Sequence, residues 1–384
     1  MTISRFRIPF LAGEHPKQSK SDTYPFPSTE GDGVMTLADI VGTKASAAIE
    51  KTRELQFHAV GDTGRGPHTA QQDVAEAMTR DINPKHHHRS PAFLMHLGDV
   101  IYGGGKENRY ADEFYRPYAD YPNKIIAIPG NHDGEQGVTV DKISLQAFRE
   151  NFCALAGQEP PLAKTFGCQM VNQPGVYWML EAKLLDLIGL YSNAAEDVGI
   201  LGDNQDLGMH QVDWLTKTLE SVAAKRAQGI RKGLILAMHH PPYARGLSTR
   251  GFGHGGSSAM LKQMDRVCQA ARIWPDAVLS GHAHNYQRYS RKVMVDGKDK
   301  LIPYIVAGTG GFAIQPAPSG IGHVEGDVTY VNGSPPKGLA DPQQPRTGFG
   351  YLLVKVRKKS MEFTFVLVQG NHRQPLETVL VPLS

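Results

Sequence analysis

From about residue 55 onward, short apolar runs recur along the chain, each closed by a polar turn that usually contains glycine. "LQFHAV" (55–60), "AFLMHL" (92–97), "KIIAI" (124–128), "GLILAM" (233–238) and "AVLSG" (277–281) are of strand length and bounded by turn residues. Such runs predict strands buried on both faces. Between them the period changes. "TAQQDVAEAMTRDI" (69–82) places Val74, Ala77, Met78 and Ile82 on one helical face, and 209–227 does the same with Val212, Leu215, Leu219 and Val222. "KASAAIEKTREL" (44–55) predicts a short helix. "VYWMLE" and "LLDLIGLY" predict one hairpin, and "GYLLVKV" and "MEFTFVLV" another across "RKKS". "LIPYIVAG" (301–308) predicts a further strand. Strands and helices alternate first and strands dominate later, which predicts two packed sheets with helices outside. Residues 1–50 read as an N-terminal arm, 51–384 as one domain, and 315–348 as a long Pro/Gly-rich loop.

Composition narrows the class. The 384 residues are enough for a sizeable core, and 40% hydrophobic with 21% charged residues is ordinary for a globular protein. A formal charge of +3 with no basic stripe gives no reason to expect nucleic acid. The one dense basic patch, "KHHHRS" (85–90), reads as a solvated loop or a weak surface metal site. Three cysteines without CxxC spacing disfavour a disulfide framework and a thiolate zinc site. No apolar run reaches membrane-span length and no secretory h-region is visible near the start. The expectation is a cytoplasmic protein without a membrane partner, of open oligomeric state.

The candidate chemistry lies where the strands end. "VGDTGRG" offers Asp62, "LGDVIYGG" Asp99 and Tyr102, and "IPGNHDGE" Asn131 and His132. "LAMHHPPY" offers His239 and His240, and "LSGHAHNYQR" offers His282 and His284. Taken singly, each has a plain structural reading: Asp62 as a turn cap, Asn131 as a turn residue, the histidine pair as packing. The glycines of "GDTGRG" lack the Gly-Lys-Ser/Thr ending of a phosphate loop, and no Gly-x-Ser-x-Gly elbow occurs. Taken together, five strand ends carrying carboxylates, amide, phenol and imidazoles predict a metal site in the crevice at one edge of the sheets.

The ordered series GDxG, GDxxY, GNHD, HxP and GHxH resembles the calcineurin-like metallophosphoesterases, and within them the purple acid phosphatases. The likeness extends over 57 to about 312, including "QVDWL" and "AGTGG". It implies a four-layer α/β/β/α sandwich of two mixed β-sheets flanked by helices. It also implies two metal ions, Fe3+ beside Tyr102 and Fe, Zn or Mn at the other position. By motif, Asp62, Asp99, Tyr102 and His284 would hold the first ion, and Asp99, Asn131, His239 and His282 the second. Asp99 would bridge. His239 is preferred over His240 because the pattern is His-x-Pro. Gly64 stands where relatives carry a ligating histidine, and Tyr102 would supply the missing donor.

The implied reaction is hydrolysis of a small phosphate monoester by a metal-bound hydroxide, between ions about 3.5–4 Å apart. His132 would contact the phosphate and protonate the leaving oxygen, with Asp133 orienting it. His254, in "GFGHGG", is either a second phosphate-facing histidine or part of a surface loop. A phosphodiesterase on the same scaffold is the alternative; Tyr102 and Gly64 favour the monoesterase side. A binding protein that lost the chemistry should lack ligands, and every expected one is present.

Overall fold

The computed structural model describes residues 31–64, 69–102, 105–134, 145–153, 159–192, 199–202, 209–244, 254–315, 322–325, 328–330 and 348–383. The first 30 residues of the expected arm and most of the 315–348 loop lie outside these.

In chain order the first elements are β1 (Val34–Thr36), α1 (Leu37–Val41), α2 (Thr43–Thr52), β2 (Glu54–Val60) and α3 (Thr69–Asp81). Then come β3 (Leu94–His96), β4 (Ile125–Ala127), α4 (Gln146–Phe152) and α5 (Pro161–Phe166). The middle of the chain forms β5 (Trp178–Glu181), β6 (Leu185–Leu190), α6 (His210–Ala227), β7 (Gly233–Met238), α7 (Ser258–Ala270) and β8 (Ala277–Ser280). The last strands are β9 (Tyr286–Val295), β10 (Lys298–Ala307), β11 (Gly322–Glu325), β12 (Val328–Tyr330), β13 (Gly350–Arg357), β14 (Ser360–Gln369) and β15 (His372–Pro382).

Two mixed sheets result. One has the order β1-β5-β6-β7-β8-β10-β9-β12-β11 and the other β15-β14-β13-β2-β3-β4. Side-chain alternation accounts for how they pack. On β2, Leu55, Phe57 and Ala59 face the nine-stranded sheet, where they meet Ile235 and Ala237 of β7 and Leu279 of β8. The opposite faces are covered by helices. Val74 and Met78 of α3 pack on Val60 and Leu94, while Leu215 and Leu219 of α6 and Met260 and Met264 of α7 pack on Leu234 and Leu236. Three apolar layers therefore separate four structural ones, the α/β/β/α sandwich.

Val34–Thr36, within the segment expected to be an arm, pairs in parallel with Trp178–Glu181 as a strand of the larger sheet. Part of the expected 315–348 loop is also strand, since β12 pairs with β9 and β11 with β12.

What matters for the site is strand direction. β2, β3 and β4 are mutually parallel, as are β6, β7 and β8. Their carboxyl ends meet along one edge, where Gly61 N–H donates to Ala307 O (3.0 Å) and Gly310 N–H to Gly61 O (2.9 Å). These bonds tie the two sheets together beneath the crevice.

Candidate metal centre

Each predicted ligand lies within a few residues of a strand end, on a backbone that has left strand geometry. Asp62, Asp99 and His282 adopt left-handed φ values of 60°, 51° and 68°. A residue with a Cβ pays about 1–3 kcal/mol for a sparsely populated conformation, and such residues concentrate at functional sites. Gly98, at φ 92°, makes the turn before Asp99, where a Cβ would lie 2.6 Å from His239 Nδ1.

The donor atoms form two groups that share Asp99. In the first, Asp62 Oδ1 is 3.3 Å from His284 Nε2, and the Tyr102 hydroxyl is 3.2 Å from that nitrogen and 3.5 Å from Asp62 Oδ1. The other Asp62 oxygen is occupied, accepting the His282 backbone N–H at 2.8 Å. Ligand atoms of Asp62, Asp99 and His284 lie within 4.8 Å of one another, the one such group of His, Cys, Asp or Glu among the described residues. In the second group, Asn131 Oδ1 is 3.1 Å from His239 Nε2 and 3.0 Å from His282 Nδ1, and His239 Nε2 is 3.4 Å from Asp99 Oδ1.

The chemistry of this donor set fits cations. His239 Nδ1–H donates to Leu97 O at 2.9 Å, which turns the Nε2 lone pair towards Asn131 Oδ1 and Asp99. Lone pairs facing one another in a buried pocket repel unless a positive charge lies between them. In the protein alone a proton serves that purpose. Burial opposes charge on His239, but Asp99 outweighs it and raises the imidazole to about 9. Asp99 responds in kind: burial pushes its carboxyl up, but His239 overrides this and holds it well below the usual range. His282 is kept neutral, first by burial and then by the surrounding histidines. Burial, followed by the charges of Asp99 and Asp62, raises the Tyr102 phenol well above its ordinary value. Only a strongly Lewis-acidic cation would make that oxygen a phenolate ligand.

Gly64 has no room for a side chain of its own. A Cβ at 64 would collide with the Val100 carbonyl and lie 2.8 Å from Ile101 Cα, so the chain crosses there without room for a side chain. Tyr102 lies on the neighbouring loop, with its backbone N–H held by Glu113 Oε2 at 2.7 Å. Glu113 lies in a π-helical turn, Ala111–Tyr115, a local distortion frequent at functional sites.

His132 stands apart from both groups. Its backbone N–H donates to Asp99 Oδ1 at 2.9 Å, and its partly exposed ring lies 4.4 Å from the Tyr102 ring. Asp133, the residue expected to orient His132, is buried, and its carboxylate accepts N–H bonds from Gly130 (2.7 Å), Val100 (3.0 Å) and Ile101 (3.2 Å), which shape the Asp99 turn. Burial and then the charge of Asp99 raise its pKa to about 7. His254 is brought to the site: its Nδ1 is 3.1 Å from His282 Nε2, and its ring is 5.0 Å from that of His284. His240 instead turns to Ser192, with Nδ1 at 3.0 Å from Oγ.

Sequence reasoning missed Glu113 and Phe312. Phe312 follows the "AGTGG" turn at the end of β10, a sixth strand end that carries no ligand-type residue and so gave no chemical signal.

The family model for calcineurin-like phosphoesterases matches residues 55–286, more than half of the chain, and the protein belongs to that family of metal-dependent phosphoester hydrolases. Among solved structures, it is similar to GAP50, described as the anchor in the inner membrane complex of Plasmodium. The TM-score is 0.53 at 13% identity, covering 85% of this chain and 89% of that one. A PhoD structure aligns with a TM-score of 0.47 at 14% identity, over 86% of this chain and 70% of that one. YfkN from Bacillus subtilis aligns with a TM-score of 0.34 at 12% identity, over 86% and 90%. At these identities the likeness concerns the fold alone. No curated protein matches the chain. No helix among the described residues is long and apolar enough to cross a membrane.

Proposed function

We propose that the protein is a binuclear metal-dependent phosphatase of the purple acid phosphatase type, hydrolysing small phosphate monoesters. Asp62, Asp99, Tyr102 and His284 would hold Fe3+, and Asp99, Asn131, His239 and His282 would hold Fe, Zn or Mn. The observation that carries this reading is the Tyr102 hydroxyl, 3.2 Å from His284 Nε2 and 3.5 Å from Asp62 Oδ1. Two cations bound there supply charge to offset the phosphoryl oxygens and acidify a water.

The protein's own groups do the rest. Asn131 and Asp99 fix the orientation of His239 and His282 by the short distances above, while Leu97 O sets the His239 tautomer. His132, bonded through its backbone to Asp99 and partly exposed to the crevice, is placed to give an imidazole proton to the leaving oxygen. His254, half-buried and held neutral by burial and then by His284, lies beside His282. GAP50, described as an anchor, is similar in fold, so the catalytic reading rests on the donor set rather than on the fold.

A substrate panel tests it. The iron-reconstituted protein is expected to turn over 4-nitrophenyl phosphate with a kcat/KM at least about a hundredfold above that for bis(4-nitrophenyl) phosphate, roughly 3 kcal/mol in transition-state stabilisation. A reversed ratio would support the phosphodiesterase reading instead.

A further inference from the structure

Phe312 has no atom to offer a metal, yet it touches the first donor group at three points. Its backbone N–H donates to Asp62 O at 3.0 Å. Its ring stacks on that of Tyr102 with centroids 3.6 Å apart and planes within 6°. It also meets His284, centroid to centroid at 4.9 Å with planes at 74°. The segment carrying it is fastened at both ends, by Gly310 N–H to Gly61 O (2.9 Å) and Gln315 N–H to His284 O (2.8 Å). We infer that Phe312 is a positioning residue, which fixes the Tyr102 phenol and the His284 imidazole for cation binding and shields the phenol face from water.

The need for such a clamp is physical. A tyrosine ring turns about two side-chain bonds, and the phenol is an unwilling ligand beside two carboxylates, so an unconstrained ring would swing to solvent. The stacking geometry supports the same conclusion. Two like aromatic rings prefer an offset, because their π-faces repel in full overlap. The near-eclipsed pair of Tyr102 and Phe312 becomes favourable when a cation draws electron density from the phenol oxygen. Ligation and stacking would then reinforce each other.

This inference rests on the reading of Tyr102 as a ligand, and the test separates the two. Wild type, Tyr102→Phe, Phe312→Leu and Phe312→Trp are reconstituted with Fe(III). The visible phenolate-to-iron band and the iron affinity by chelator competition are then recorded, with circular dichroism as a check on folding. Phe312→Leu keeps bulk but loses the flat face, and is expected to shift or weaken the band and lower iron affinity about tenfold, the scale for losing a ligand-orienting neighbour. Phe312→Trp is expected to keep the wild-type values. Wild-type band and affinity in Phe312→Leu would overturn the role of Phe312 while leaving Tyr102 as ligand. Should the leucine variant not fold, a tryptophan variant that folds but loses band and affinity would also contradict it. A band unchanged in Tyr102→Phe, or absent from the wild type, would overturn the Tyr102 reading and this inference with it.

Discussion

Asp99→Asn is expected to abolish turnover and to lower metal binding in the same variant. Asp99 is the one side chain common to both donor groups, buried to 1% exposure and 3.4 Å from His239 Nε2. The substitution is unusually clean. Asparagine tolerates the left-handed conformation found at φ 51°, and its amide oxygen can still accept the His132 N–H. What disappears is one negative charge facing cations in a low-dielectric pocket. We expect kcat/KM to fall a thousandfold or more, roughly 4 kcal/mol, with bound metal below the wild-type level. A folded Asn variant that retains full metal and a tenth of the activity would rule out the bridging role.

His132→Ala carries the second large effect, with a different signature. The ring belongs to neither donor group and packs on Tyr102 at 4.4 Å, so metal content is expected to stay at the wild-type level. Turnover should fall about a hundredfold to ten-thousandfold for an alkyl phosphate, the range for losing a general acid. With 4-nitrophenyl phosphate, whose leaving group departs without a proton, the loss should shrink to about tenfold. Equal losses on both substrates would mean that His132 binds phosphate without donating a proton. Loss of metal would mean that it acts through Asp99, whose Oδ1 accepts its backbone N–H.

Most of the centre was legible in the sequence because its donors sit beside strands whose apolar runs announce themselves. β7 coincides with "GLILAM", and β2 begins one residue before "LQFHAV". Strands that depend on tertiary context did not show. β15 is an edge strand, largely exposed, with Pro375 at the irregularity in its pairing with β14, so it carries no clean apolar alternation. β1 is three residues long and exists only through its pairing with β5. α7 did carry a signal, in Met260, Met264, Val267 and Cys268 at helical spacing behind a Ser257 cap, and was overlooked beside the glycine-rich segment preceding it.

The same distinction holds within the site. Motif order indicates which residues approach the crevice but not where a side chain turns. Asp133 adjoins His132 in sequence, yet its carboxylate is drawn inward by three backbone N–H groups that need an acceptor. Phe312 holds Tyr102 from a distant part of the chain and Glu113 from the turn after it, and no local period encodes either contact.

We propose that one edge of the two sheets holds a pair of cations sharing Asp99. Elemental analysis of the purified protein after metal loading and removal of excess tests it most directly. Two metal ions per chain are expected, at least one of them iron. A plateau at one ion per chain, or retention of no tightly held metal, would contradict it.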